Sequence, residues 1–160
     1  MSERRILTRE EAAERVKSWR EQGLSIVFTN GCFDLLHPGH VEYLEKASKL
    51  GDRLVIGIND DASIRRIKGP TRPINPLCDR ARMLAALRCV DLVVPFTEDT
   101  PLELIRVLMP DVLVKGGDYR PEEIVGSELV RRHGGQVIVM PFLRGYSSTA
   151  LIERIRNMQV

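Results

Sequence analysis

Apolar residues fall into short dense runs, separated by stretches in which they recur every three or four positions. Five runs are nearly continuous in Val, Ile and Leu: SIVFTNG (25–31), RLVIGIN (53–59), VDLVVPF (90–96), VLVKGG (112–117) and QVIVMP (136–141). Such runs do not alternate with polar residues. That is the pattern of strands covered on both faces, as in a parallel sheet. The intervening stretches have helical spacing. Thr8 and Glu11 form a capping-box pair ahead of Ala12, Val16 and Trp19. Val41, Leu44 and Ala47 mark a second helical face, and residues 77–88 a third, with Leu84 and Leu87 inward. Thr100 as cap, Pro101 at the first helical position and Glu103 at the third predict a fourth. Residues 121–132 predict a fifth. A last helix begins near 147–149 and packs Leu151, Ile152 and Ile155.

Strand alternating with helix predicts a doubly wound α/β domain: a five-stranded parallel sheet with helices on both faces. The expected organisation is one domain over 1–160, an N-terminal helix in 1–23 followed by a core over 24–157. Ligands of such sheets bind outside the carboxyl ends of the strands. The segments of interest are therefore 30–40, 59–68, 96–100, 115–119 and 141–149.

Composition changes this picture little. A chain of 160 residues suits a single core. A net charge of +2 gives no reason to expect nucleic acid or an anionic membrane as partner. The three cysteines, Cys32, Cys78 and Cys89, are odd in number and form no CxxC. That argues against a disulfide framework or structural zinc and suits a reducing cytoplasm. The first residues are charged, without the apolar core of a signal peptide. No apolar run approaches the ~18 residues of a membrane span.

Chemistry concentrates in FTNGCFDLLHPGHVEYLEKA (28–47), just after the first run. Pro38 suits the first turn of a helix, His40 falls in that turn and His37 just before it. Unpaired N–H groups at a helix start favour an anion, and Gly39 lets one approach the backbone. Metal ligation is the rival reading, but it needs a third ligand. His133 sits on a distant helix, and Cys32 and Asp34 are the nearer candidates. Plain filling of space is the remaining alternative.

GCFDLLHPGH resembles the first motif of the cytidylyltransferase-like nucleotidyltransferases, which carry His-x-Gly-His. YSSTALIERI, near the end, resembles the family's Ser-Ser-Thr element at a helix start, and VKGGDY follows the fourth run. The three in this order, over roughly 24–157, are far more specific than any one. Within the family the combination most resembles the heptose 1-phosphate adenylyltransferases, free-standing or joined to a kinase. Tyr146 departs from the Ile found in many relatives, which is expected to alter packing rather than chemistry.

The resemblance implies a Rossmann-like nucleotidyltransferase fold. It also implies AMP transfer from ATP to D-glycero-D-manno-heptose 1-phosphate, giving ADP-heptose and pyrophosphate for lipopolysaccharide core or other surface polysaccharide. Glycerol-3-phosphate cytidylyl transfer and non-catalytic nucleotide binding are the alternatives. The implied catalytic residues are His37, His40 and Lys68, the last on a loop after the second strand's helix. Thr29, Asn30, Gly31, Cys32, Phe33, Gly39, Lys115, Gly116, Asp118, Ser147, Ser148 and Thr149 would bind ATP. Asp34, Arg72 and Arg80 would meet the acceptor, although Arg80 also reads as a surface residue paired with Asp79. Mg²⁺ would be held mainly by the ATP phosphates and water, without a dedicated carboxylate cage; Asp34 is the nearest acidic residue and is not expected to be a direct ligand. Partners would be ATP and the sugar phosphate, in a homodimer or larger homo-oligomer, without nucleic acid or membrane. The chemistry is coherent. A phosphate monoester has a second pKa of about 6, so it is already an anionic nucleophile. No general base is needed; donors and cations that hold two anions in line are.

Overall fold

The computed structural model describes residues 2–159. Its centre is a five-stranded sheet: β1 (Ile26–Gly31), β2 (Arg53–Asn59), β3 (Leu92–Phe96), β4 (Val112–Gly116) and β5 (Gln136–Met140). The order is β3-β2-β1-β4-β5 and every pairing is parallel. Successive residues of a strand face opposite sides, so each strand feeds two cores. Ile26, Phe28, Val55 and Val94 pack under α1 (Arg9–Glu21) and α5 (Leu102–Leu108). Val27, Leu54, Ile56 and Val93 pack under α2 (Pro38–Ser48) and α4 (Leu77–Ala85). This double cover is why the runs are continuous rather than alternating. At the other edge, carboxylates that precede three strands receive neighbouring N–H groups. Asp52 accepts from Ser25, Asp91 from Leu54 and Asp111 from Ile26, at 2.7–2.8 Å.

The helices differ from expectation in four places. A helix α3 (Asp61–Lys68), capped by Asp60, follows β2, and Lys68 is its final residue rather than part of a loop. The 77–88 helix stops at Ala85, leaving Leu87 beyond it. Thr100 does not cap α5; Pro101 takes the cap position, and its carbonyl accepts the Ile105 N–H at 2.9 Å. The 121–132 segment is broken. A 3₁₀ turn (Pro121–Glu123) precedes a short α6 (Ser127–Arg132), with Gly126 between them at φ +86°. A Cβ at Gly126 would lie 2.8 Å from Ile105, so glycine is required there by φ and by space. The final helix, α7 (Ser148–Arg156), starts where expected. Among the described residues no helix is long and apolar enough to cross a membrane.

One side chain ties the carboxyl-edge loops together. Arg80 on α4 is fully buried. It donates to the carbonyls of Cys32 (2.8 Å), Asn59 (2.9 Å) and Asn75 (3.0 Å), and to Asp61 (2.7 Å). Asp34, also buried, accepts from Arg72 and from the backbone N–H groups of Ile74 and Asn75. Asn75 returns a side-chain bond to the Asp34 carbonyl at 2.9 Å. Removing one member of a buried charged network costs about 3–5 kcal/mol. Arg80→Met should therefore lower stability by roughly that amount in urea unfolding. The exposed Arg82, 3.8 Å from Glu3, is the control: Arg82→Met should cost less than about 1 kcal/mol. Equal stability of the two variants would mean that water replaces the Arg80 bonds.

Candidate active site at the carboxyl edge of the sheet

The chain runs β1 to β3 in one direction, then returns across the sheet to β4 and β5. The crevice at such a reversal is the usual ligand site of an open α/β sheet. A cleft of about 690 Å³ lies there. It brings together Asn30–Asp34, His37, Gly39 and His40 with Lys68, Arg72, Lys115, Gly116 and Ser147–Thr149.

His37 is the N-cap of α2, and its Nδ1 accepts the backbone N–H of His40 at 3.3 Å. That bond leaves the neutral ring's proton on Nε2. The two imidazoles stack at 3.8 Å with planes 20° apart, and Phe33 tilts against His40 at 5.3 Å. Phe33 reaches this position with φ +48°, an uncommon backbone for a bulky residue. Burial lowers the pKa of His37. Burial, then His37 and Lys68, push His40 down to about 4. Both rings are therefore neutral hydrogen-bond donors at pH 7. His40 Nδ1 is buried and has no protein partner among the described residues. Gly39 is there for close approach: a Cβ would stand 2.9 Å from His37 Nδ1 and 3.0 Å from the Tyr146 Cβ.

A second helix start faces the same cleft. Ser147 caps α7, its hydroxyl accepting the Ala150 N–H at 3.3 Å. Ser148 donates to the Leu35 carbonyl at 2.7 Å, which ties α7 to the loop before α2. Thr149 is exposed to the cleft. Lys115, half-buried at the end of β4, has its ammonium 5.8 Å from the Tyr119 ring centroid, and burial lowers its pKa. Gly116 and Gly117 lie beneath Phe142, where added Cβ atoms would come within 2.7 and 2.9 Å of its ring.

Four expected residues stand elsewhere or are already engaged. Thr29 is buried below the floor, its hydroxyl sharing a 2.7 Å hydrogen bond with Tyr43. Asp118 is exposed and lies outside the cleft lining. Asp34 borders the cleft, but its carboxylate is taken up internally. Burial raises its pKa, and the bonds from Asn75, Ile74 and Arg72 outweigh this and hold it below the ordinary range. Arg80 neither lines the cleft nor pairs at the surface with Asp79; four of its donors are spent on the loops. Arg72 does line the cleft, held by Asp34 at 2.7 Å. Cys32 is half-buried, with its thiol pKa raised by burial and its sulfur 3.9 Å from Asn59, as a packed filler would be.

Sequence reasoning missed Tyr43, Asn59, Asp99, Thr100, Tyr119 and Phe142 as cleft residues. Tyr43 lies one turn after His40, so helical spacing held a signal for it. The phenol is pushed up to about 12 by burial and stays protonated. Asp99 and Thr100 belonged to a segment of interest but carried no motif.

A parallel sheet of this order, with two helix starts and a neutral imidazole pair at its reversal, defines a nucleotide-binding α/β domain of the Rossmann-like nucleotidyltransferase fold. The chain belongs to the cytidylyltransferase-like family, whose sequence model matches residues 28–154. It is 58% identical over 151 residues to the bifunctional protein HldE of Gluconacetobacter diazotrophicus, a match covering 94% of this chain and 31% of that protein. It is 55% identical over 151 residues to HldE of Pectobacterium carotovorum, covering 94% of this chain and 32% of that one. The chain thus spans about a third of the length of these relatives. Among solved structures, the lipopolysaccharide core biosynthesis protein of Thermoplasma volcanium is similar at TM-score 0.61 and 29% identity, over 78% of this chain and 100% of that one. A pantoate-beta-alanine ligase from Francisella tularensis matches at TM-score 0.62 and 18% identity, over 96% of this chain and 73% of that one, and shows the fold alone.

The site has a pH signature. His40 titrates near 4 in the fold against 6.5 unfolded, so the unfolded chain takes up the proton first as pH falls. Stability should be full above pH 6.5 and decline as pH falls toward 4. Asp34 is lowered, so its contribution persists until pH falls below 3.8. Unfolding midpoints measured against pH should show both losses. His40→Asn should diminish the upper one, leaving the part that belongs to His37, and leave the lower unchanged.

Proposed function

We propose that the domain transfers AMP from ATP to D-glycero-D-manno-heptose 1-phosphate, releasing pyrophosphate and forming ADP-heptose. The observation that carries this reading is the meeting of two helix starts, α2 with a neutral imidazole pair and α7 with its hydroxyls, in one cleft with Lys68, Arg72 and Lys115. Its particular substrate is supported by the identity to HldE proteins and by the likeness to a lipopolysaccharide core biosynthesis protein.

In this reading a phosphate oxygen of the acceptor attacks the α-phosphorus of ATP. The new O–P bond forms as the bond to the β-phosphate oxygen breaks, and pyrophosphate leaves with that electron pair. The attacking phosphate is already ionised, so no residue removes a proton. His37 Nε2–H and the His40 ring donate to phosphate oxygens as charge builds. Neutral donors suit this task, because they stabilise the transition state without gripping ATP as full charges would. Thr149 and the N–H groups at the α7 start hold the outer phosphates. Lys115, Gly116 and Phe142 flank the nucleoside, and Lys68 and Arg72 approach the acceptor phosphate.

Mg²⁺ would arrive with the triphosphate and neutralise its charge. Among the described residues no group of three His, Cys, Asp or Glu side chains is placed to hold a metal. Asp34 is engaged by Arg72 and Asp99 by Arg66 at 2.7 Å. Phosphate oxygens and water would therefore be its ligands, as hard Mg²⁺ prefers. The free thiols Cys32, Cys78 and Cys89 and the use of ATP agree with a cytoplasmic setting. A homodimer or larger homo-oligomer belongs to the same reading, and sedimentation checks it.

Pyrophosphate release with ATP or CTP, against heptose 1-phosphate and glycerol 3-phosphate in turn, tests the assignment. Turnover is expected with ATP and heptose 1-phosphate. Turnover confined to CTP and glycerol 3-phosphate would reverse the substrate choice, and tight ATP binding without turnover on any acceptor would make the domain a binding module. His40→Ala should lower kcat about 10²- to 10³-fold while ATP affinity changes little. A rise in KM alone would contradict the role given to His40.

A further inference from the structure

The His37 ring is built into a set of aromatic rings that come from three parts of the chain. It stacks on His40 at 3.8 Å and 20°, and on Tyr146 at 5.9 Å and 22°. Phe33 meets His40 at the far end. Tyr146 lies about a hundred residues away in sequence, on the loop between β5 and α7. The root of its side chain sits on the first turn of α2, since a Cβ on Gly39 would stand 3.0 Å from the Tyr146 Cβ.

His37 needs such a neighbour. Its ring has one protein hydrogen bond, to the His40 N–H at 3.3 Å, longer than the usual ~2.9–3.0 Å. One long bond leaves the ring free to rock about its attachment. Near-parallel rings within about 7 Å attract beyond their buried area and resist that motion. Burial keeps the His37 pKa low, and Tyr146 supplies part of the cover. Its other anchors are the Phe142 ring over Gly116 and Gly117 and the Ser148 bond to Leu35; Phe142 and Leu143 are otherwise exposed, and α7 buries only Ile152.

We propose that Tyr146 is a positioning residue: its ring sets the plane of the His37 imidazole and so aims Nε2–H into the cleft. The proposal rests on the reading of His37 as a phosphate donor. Tyr146 acts through ring stacking, so in this chain its hydroxyl is dispensable and its aromatic ring is not; a position expected to alter packing alone would here reach the chemistry through that packing. A loop that begins one phosphate-binding helix start thereby adjusts the donor at the other.

The test compares Tyr146→Phe and Tyr146→Ala in the full chain. It uses steady-state kinetics with ATP and heptose 1-phosphate, and NMR titration of ¹⁵N-labelled histidine. The titratable ring against His37 is His40 on α2, 3.8 Å away between centroids, and Lys68 on α3 acts on His40 in turn. The Phe variant leaves both unchanged. Tyr146→Phe should match the parent in both measurements. Tyr146→Ala should lower kcat about 10- to 100-fold with little change in KM for ATP, and raise the His37 titration toward its ordinary value. If the Ala variant unfolds, Tyr146→Leu replaces it with the same expected outcome. Parental kcat and parental His37 titration in the Ala or Leu variant would overturn the proposal. So would a Phe variant as impaired as Ala, which would make the hydroxyl a substrate contact. An unmodified chain that turns over no acceptor refutes the adenylyltransferase reading, and the His37 titration, which needs no substrate, still decides this one.

Discussion

A guanidinium with no access to water must spend its donors on the protein, and Arg80 spends four of them on the segments that surround the cleft floor. Leaving such a charge unpaired would cost several kcal/mol, so the carbonyls of Cys32, Asn59 and Asn75 are held where it needs them. Asp34 does the converse with a carboxylate, collecting N–H groups from Ile74 and Asn75 and the Arg72 side chain. Asn75 links the two, giving its carbonyl to Arg80 and its amide to the Asp34 backbone. The loops after β1 and before α4 are therefore tied to each other. A parallel sheet alone would bring strand ends to this edge without saying where the loops go.

On that floor stand two helix starts and a pair of imidazoles that burial keeps neutral. Neutrality is the chemically important point. Two imidazolium rings stacked at 3.8 Å would repel each other and would bind any anion indiscriminately. In the proposed reaction, neutral donors would hold a phosphate lightly in the ground state and gain as negative charge grows. The full charges, Lys68, Lys115 and the guanidinium of Arg72, are distributed around the cleft. This division suits a reaction whose nucleophile is already an anion.

Much of this was legible along the chain. The five strands showed as continuous apolar runs because both of their faces are covered. The α2 start showed because Pro38, Gly39 and the two histidines each have a local reason to be there. The 121–132 helix misled because helical spacing continues through Gly126, which takes a left-handed φ of +86° and packs its bare Cα against Ile105 on a neighbouring helix. The α5 cap was displaced by one residue because both Thr100 and Pro101 suit a helix entry. Arg80 and Asp34 read as site residues through the family resemblance, and nothing local disclosed that they are buried.

By itself, then, the sequence determined the five strands and most of the helices, that the sheet is parallel, and that a helix start suited to an anion follows β1. These depend on local patterns: apolar spacing, capping residues, and glycine or proline at fixed offsets. Only the tertiary structure decided which polar groups face the cleft. Arg80 and Asp34 turned inward to each other's loops, Thr29 sank beneath Tyr43, Asp118 fell outside, and Tyr146 came to rest against His37. Whether a charged or aromatic side chain braces a loop or meets a ligand depends on the neighbours that distant segments bring to it.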